Sequence, residues 1–320
     1  MIVRRRRLAS LLAAASAVLF GAIGFQPATA TADPAVGSAE LGAPPEAAAA
    51  MSTDGAPRGA NDWSCRPSAA HPRPVILVHG TGMNMVQTWD VLAPALKSEG
   101  YCVFALNYGA GAQFWGSGDI RNSARELSAF VDAVRAGTGA AQVDIVGHSQ
   151  GGTMARQYLR FEGGADPAVP SRNKVNRLVM LGPTTHGTTF GGQQGLVDAF
   201  TSLRVTDEGT NEMLAGMSFG VASYQQFVGS RFLADLNAGR ETLPGIAYTV
   251  IASRTDNVVT PPEGSFLVPD AGSSVRNEWV QDSCPGATIS HLGLYADPRS
   301  LFLVQRALDP GYRFGAAAPC

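Results

Sequence analysis

Short, unbroken apolar runs recur along the chain, each closed by small or polar residues. Pro74–Val78, Tyr101–Leu106, Gln142–Val146, Arg177–Leu181 and Ala247–Ala252 are five such runs. A strand covered on both faces reads this way, because neither side has to alternate with polar residues. Between the runs the period changes. Within Ser123–Arg135, Leu127, Phe130, Val131 and Val134 fall at i, i+3, i+4 and i+7, the apolar face of a helix. Thr88–Lys97, Thr153–Phe161 and Arg299–Leu308 are further helical stretches, with Gly137 and Gly163 as helix stops after two of the four. Strands alternating with helices predict an α/β fold, a mostly parallel sheet with helices on both faces. Chemistry in such sheets gathers at the carboxyl ends of the strands.

The alternation is absent from the first sixty residues. Arg4–Arg7 precede Leu8–Phe25, a run without charge, and Ala28-Thr29-Ala30 and Ala30-Thr31-Ala32 follow it. A basic start, an apolar run and small residues predict a secretory signal over residues 1–32, cleaved near Ala30 or Ala32, on a secreted protein. An uncleaved anchor is the alternative, since the run sits at the short limit for spanning a bilayer. The arginines also suit a twin-arginine export route. Residues 33–61, rich in Ala, Pro, Gly, Ser and Glu, predict a linker or pro-segment. Residues 62–320 are then expected to form one folded domain.

Composition narrows the picture further. A chain 45% hydrophobic and 16% charged is not disordered. Counted from Asp33, 20 basic residues face 26 acidic ones, with no basic stripe, which argues against nucleic acid as a partner. Cys65, Cys102, Cys284 and Cys320 are an even number on an exported chain, which predicts two disulfides and leaves three pairings open. No His-x-x-His or Cys-x-x-Cys spacing suggests a metal.

The third run leads into Gly147-His148-Ser149-Gln150-Gly151-Gly152 with a helix behind it. This is G-x-S-x-G in the strand–turn–helix context of a nucleophile elbow, where a sharp turn lifts a serine clear of the sheet. Ser149 is the candidate nucleophile, and the N–H of Gln150, at a helix N-terminus, is a candidate oxyanion donor. A serine hydroxyl needs a base. Of the five histidines, His71 reads as a surface residue, and His79 and His148 are built into turns. His186 leaves only Glu162 and Asp166 as intervening acids, both at the far end of the helix behind Ser149. His291 leaves room for Asp256 after the fifth run, in the order nucleophile, acid, histidine. Asp270 and Asp282 are rivals for the acid. The loop His79-Gly80-Thr81-Gly82 after the first run offers the N–H of Thr81, with its hydroxyl, as the second oxyanion donor.

Val78-His79-Gly80-Thr81-Gly82, Asp144–Gly152, Asn173–Val179 and Thr255-Asp256-Asn257-Val258-Val259 occur in that order. Together they resemble the secreted bacterial class 2 triacylglycerol lipases, and Thr81 with the Ser-Gln-Gly-Gly turn is also similar to fungal lipase B-type enzymes. The resemblance runs through most of the chain from Cys65 to Cys320. It implies an α/β-hydrolase fold, ester hydrolysis through an acyl-serine intermediate, and no cofactor. By motif, Ser149 is nucleophile, Asp256 acid and His291 base, with Thr81 and Gln150 as oxyanion hole. It also implies that Cys65 pairs with Cys102 and Cys284 with Cys320.

Residues 183–244 are a long connection expected to form a helical cap. Leu196, Val197, Phe200 and Leu203 have helical spacing, and Met213, Leu214, Met217, Phe219, Val221, Tyr224 and Phe227 add apolar surface. An acyl-binding wall or lid and a helical pair packed on the core are both open. Phe114 and Trp115, in the loop 109–118, are expected at a pocket rim. The expected partners are a lipid or small ester substrate and a transient lipid–water interface, on a monomer. Acyl transfer by the same triad is the alternative activity, and a non-catalytic binding module on a hydrolase fold is the remote one.

Overall fold

Six parallel strands make up the sheet: β1 (Val75–Val78), β2 (Val103–Leu106), β3 (Val143–His148), β4 (Val175–Leu181), β5 (Ala247–Ala252) and β6 (Ser274–Trp279). Their spatial order is β2-β1-β3-β4-β5-β6. The structure is a computed structural model and describes residues 55–111, 114–192, 220–313 and 318–320. The expected signal, most of the linker, and the cap residues from Leu196 to Phe219 lie outside the described residues.

The alternation of burial within each strand divides the core in two. Ile76 and Val78 face one layer with α3 (Ile120–Thr138) and α4 (Gln150–Phe161). Val75 and Leu77 face the other, with α1 (Met85–Trp89), α2 (Leu92–Ser98) and α7 (Pro298–Leu308). The architecture is therefore α/β with helices on both faces. The chain moves outward from β1 to β2, then crosses back to β3. That reversal opens a crevice between β1 and β3 at their carboxyl ends, where ligands bind in open sheets of this kind.

The expected strands correspond to β1–β5. β6 has no apolar run to announce it. It lies at the sheet edge, and its sequence Ser-Val-Arg-Asn-Glu-Trp is polar because its outer residues meet solvent. The single helix expected over Thr88–Lys97 is two helices. The chain bends at Asp90 and Val91, which lets Trp89 and Leu92 both reach the core. Gly137 lies inside α3, and the stop is Gly139, left-handed at φ 74°.

The linker boundary at residue 61 falls within packed structure. Asn61 is buried and its side-chain amide bonds the main chain of Ala105 both ways, at 2.9 and 2.8 Å. Its N–H donates to the Val103 carbonyl at 2.9 Å. An otherwise open edge, β2, is thereby covered. Cys65–Cys102 fastens the same segment to the start of β2, and Cys284–Cys320 fastens the chain end to the loop before His291. Closing loops of this length contributes roughly 3–4 kcal/mol each in the chain-entropy model.

The described parts of the cap are helical and packed. Among the described residues, α5 (Val221–Gln225) and α6 (Arg231–Asn237) follow one another, with Ala222, Phe232, Leu233 and Leu236 in the same core layer as α3 and α4. No helix among the described residues is long and apolar enough to cross a membrane.

Candidate active site

Ser149 stands between the last residue of β3 and the first of α4, at φ 54° and ψ −126°. This is a left-handed backbone that an ordinary residue adopts only under constraint. The constraint comes from its neighbours. A Cβ on Gly147 would lie 2.6 Å from the Gly152 nitrogen, and one on Gly151 would collide with the carbonyl oxygens of Val78 and His79. Only glycine allows strand, turn and helix to approach so closely. The Ser149 N–H donates to the Leu181 carbonyl at 2.8 Å, and its side chain makes no capping bond to the helix. The hydroxyl thus has no structural duty at the turn.

Asp256 and His291 are in direct contact. Asp256 Oδ2 lies 2.8 Å from His291 Nδ1, and both side chains are almost wholly buried. The other carboxylate oxygen, Oδ1, accepts the N–H groups of Val258 and Val259, each at 2.8 Å. The carboxylate is therefore fixed in rotation as well as position. Three residues of the same loop hold the His291 segment. Ser253 and Thr255 donate to the Ile289 carbonyl at 2.6 and 3.0 Å, and the His291 N–H donates to Asn257 Oδ1 at 3.3 Å.

The rival groups are engaged elsewhere. Asp270 accepts from the N–H of Glu241 and of Thr242, and Asp282 from the N–H of Trp279. His186 pairs with Glu241 at 2.7 Å, and His71 stacks on Tyr101. Between Ser149 and His291 there is no direct hydrogen bond. Catalytic contacts of this kind often tighten only when substrate binds.

Thr81 and Gln150 are brought together across the crevice. The Thr81 hydroxyl donates to Gln150 Oε1 at 2.7 Å. Among the described residues, no protein acceptor engages the main-chain N–H of Thr81 or of Gln150. The first N–H groups of a helix have no intrahelical partner and sit at its positive end. Trp115, in the expected rim loop, accepts the Gly82 N–H through its carbonyl at 3.0 Å, and its side chain is exposed. His79 braces the same loop. Its Nδ1 donates to the Gly80 carbonyl at 2.8 Å, its ring stacks on Tyr108, and burial lowers its imidazole to about 4, so it stays neutral.

Two residues of this site escape a reading of the sequence. Gln226 of the cap is fully buried, donates to the Thr81 hydroxyl at 2.9 Å, and accepts from Thr184 at 3.0 Å. The only hint of it is a pair of amides, Gln225-Gln226, inside the apolar stretch Tyr224–Phe227.

His148 is the second. Its Nε2 lies 3.0 Å from the His291 carbonyl, which can only accept, so Nε2 carries the proton. Burial first, then the field of His291, holds this imidazole far below its usual range. His148 is thus a neutral donor tying the end of β3 to the His291 loop. His148→Gln keeps an N–H near that place and should keep most of kcat. His148→Phe should lose on the order of 10–100-fold, the scale of a small misplacement of a reacting group. Steady-state kinetics with thermal unfolding separates this from a loss of fold, and a fully active Phe variant would remove the role.

Comparison with known proteins agrees with this fold. The family model described as lipase (class 2) matches residues 72–270, more than half of the chain. Thr81, Ser149, Gln150 and Asp256 fall inside that stretch and His291 beyond it. Triacylglycerol lipases of Pseudarthrobacter phenanthrenivorans and Burkholderia plantarii are each 37% identical over 93 residues, 28% of this chain. The matched stretch spans about a quarter of those relatives, 28% and 25% of their lengths. Among solved structures, Aspergillus fumigatus lipase B superposes with a TM-score of 0.59 at 20% identity, over 79% of this chain and 55% of that one. The mature form of Bacillus licheniformis lipase BlEst2 gives 0.52 at 16%, over 76% and 94%. These likenesses show the fold, an α/β-hydrolase. By the family match, the chain belongs to the class 2 lipases.

Proposed function

We propose that the protein is a secreted serine ester hydrolase acting on carboxylic esters of lipids. The observation that carries this reading is the Asp256–His291 pair, tied through His148 to the turn that holds Ser149 under strain at a helix N-terminus. In the reaction, Ser149 Oγ attacks the ester carbonyl carbon as His291 Nε2 takes its proton. The N–H groups of Thr81 and Gln150 receive the negative oxygen. The tetrahedral species collapses, the carbon–oxygen bond to the alcohol breaks, and His291 returns the proton to the departing alkoxide. Water, deprotonated by His291, then attacks the acyl carbon; the carbon–Ser149 Oγ bond breaks, His291 returns the proton to Oγ, and the acid leaves. Each oxyanion donor of this kind supplies about 2.7–4 kcal/mol of transition-state stabilisation. The two disulfides suit an oxidising, extracellular setting.

An apolar surface for the acyl chain is supported by Phe190 and Phe227, whose rings pack 5.3 Å apart. Phe190 lies beside the acid loop, through the bond from the Thr189 N–H to the Thr260 carbonyl, and Phe227 follows Gln226. Hydrolysis of p-nitrophenyl esters of graded length tests this. We expect kcat/KM to rise from acetate to medium chains by up to about fourfold per methylene, the value of burying one CH2. A maximum at acetate would remove the lipid-ester reading and leave a short-chain esterase.

A further inference from the structure

Arg156 lies on α4, seven residues beyond Ser149, and is 3% exposed. Its Nε donates to the Glu241 carbonyl at 3.3 Å, and its Nη2 donates to Asn237 Oδ1 and the same carbonyl at 2.8 and 3.0 Å. Its Nη1, with two N–H groups, meets no acceptor. Among the described residues no carboxylate forms a salt bridge with it. Burial lowers this guanidinium to about 10, which still leaves it cationic at neutral pH. A buried donor without a partner is costly, and a buried charge more so.

Arg156 lines a small cleft together with Arg160, Arg240, Leu243 and Tyr248. Its spare hydrogen-bonding capacity is on the donor side. The Tyr248 hydroxyl accepts from the Leu243 N–H at 3.0 Å, and its own proton meets no acceptor among the described residues. Glu241 also lines the cleft, but its two carboxylate oxygens are bonded to His186 and to the Val268 N–H, each at 2.7 Å. Asp270, close by, receives Thr242 and the Glu241 N–H. Of the three guanidinium groups only Arg156 is buried; Arg160 is half-buried and Arg240 exposed. The cleft has room for one small group such as a water or a monatomic ion. Water would bring two protons to a place whose carbonyl and carboxylate oxygens already accept other N–H groups. A monatomic anion brings only acceptor capacity, which is what Arg156 Nη1 and the Tyr248 hydroxyl lack.

We propose that this cleft is a structural halide site, occupied by chloride under ordinary conditions and held by Arg156 Nη1 and the Tyr248 hydroxyl. Its place in the fold says what it does. Arg160 donates to the carbonyls of Leu236, Ala238 and Arg240, so α4 already grips the end of α6 and the chain after it. The halide completes that grip. It lies well down α4 from Ser149, about 10 Å along a helix over seven residues, and takes no part in the reaction.

The test follows thermal unfolding of the whole protein as sodium chloride replaces sodium gluconate at constant ionic strength. The wild-type midpoint should rise and saturate. Tyr248→Phe should need about tenfold more chloride for half the rise, the value of one hydrogen bond to a charged partner. Arg156→Met should show no saturable rise, and Tyr248→Phe should keep wild-type kcat. A crystal soaked in sodium bromide should give an anomalous peak beside Arg156 Nη1. If Arg156→Met does not fold, Tyr248→Phe and the bromide crystal decide. A chloride response that is absent, unsaturable or equal in wild type and Tyr248→Phe overturns the proposal, and so does a bromide crystal without the peak.

Discussion

Replacing Ser149 by Ala is expected to lower kcat by about 10⁶-fold, the scale of deleting the nucleophile of a catalytic triad. The fold should survive unchanged. The Ser149 side chain forms no capping bond, and the turn is held by the Ser149 N–H on Leu181 and by the close packing of Gly147 and Gly151. A residual rate of roughly 10³–10⁴ over water should remain, from the oxyanion donors and binding. Ser149→Gly gives an independent check on the strain. Relief of a left-handed backbone returns about 1–3 kcal/mol, whereas glycine's extra chain entropy costs about 0.5–1 kcal/mol. Strain relief outweighs the entropy loss, so Ser149→Gly should be inactive and at least as stable as wild type by chemical denaturation. Wild-type rates in Ser149→Ala would end its assignment as nucleophile.

The second large effect is Asp256→Asn, expected to cost about 10⁴-fold in kcat. The loss comes from the tautomer of His291. Asp256 Oδ1 is committed to the Val258 and Val259 N–H groups, and in the Asn variant the amide oxygen stays there. Its NH₂ group then faces His291 Nδ1. Two donors cannot share that contact, so the imidazole moves its proton to Nε2 and cannot receive one from Ser149. Because the loop's hydrogen bonds persist, stability should fall far less than activity. Asp270→Asn and Asp282→Asn should stay within a few-fold of wild type, since those carboxylates support turns at Glu241–Thr242 and Trp279. Loss of rate in either, with Asp256→Asn active, would move the acid to that residue.

What is legible in the chain is whatever periodicity or spacing encodes. Buried parallel strands are continuous apolar runs, so five of the six strands can be read directly. The edge strand β6 cannot, because solvent on its outer side removes the run. The Ser149 turn is readable because close packing demands glycine at fixed positions around it. The contact between Asp256 and His291 is readable only as chain order. The supports around these residues are not readable at all. Asn61, His148 and Gln226 act through partners 44, 143 and 145 positions away, and no local pattern reports such distances. The cap is ambiguous in sequence because core helices and an acyl-binding wall have the same apolar spacing. Its described part packs on the core while still presenting Gln226 to Thr81.

The central claim is that Ser149 is the residue acylated during turnover. An alkyl phosphonate p-nitrophenyl ester tests it most directly, because an activated serine displaces p-nitrophenolate and keeps the phosphonyl group. Intact-mass measurement and peptide mapping should find one adduct per chain, on Ser149, with loss of esterase activity in parallel. Neither Ser149→Ala nor Asp256→Asn should be labelled at the same exposure. An adduct on another residue that abolishes activity, or full activity in protein labelled on Ser149, would contradict the account.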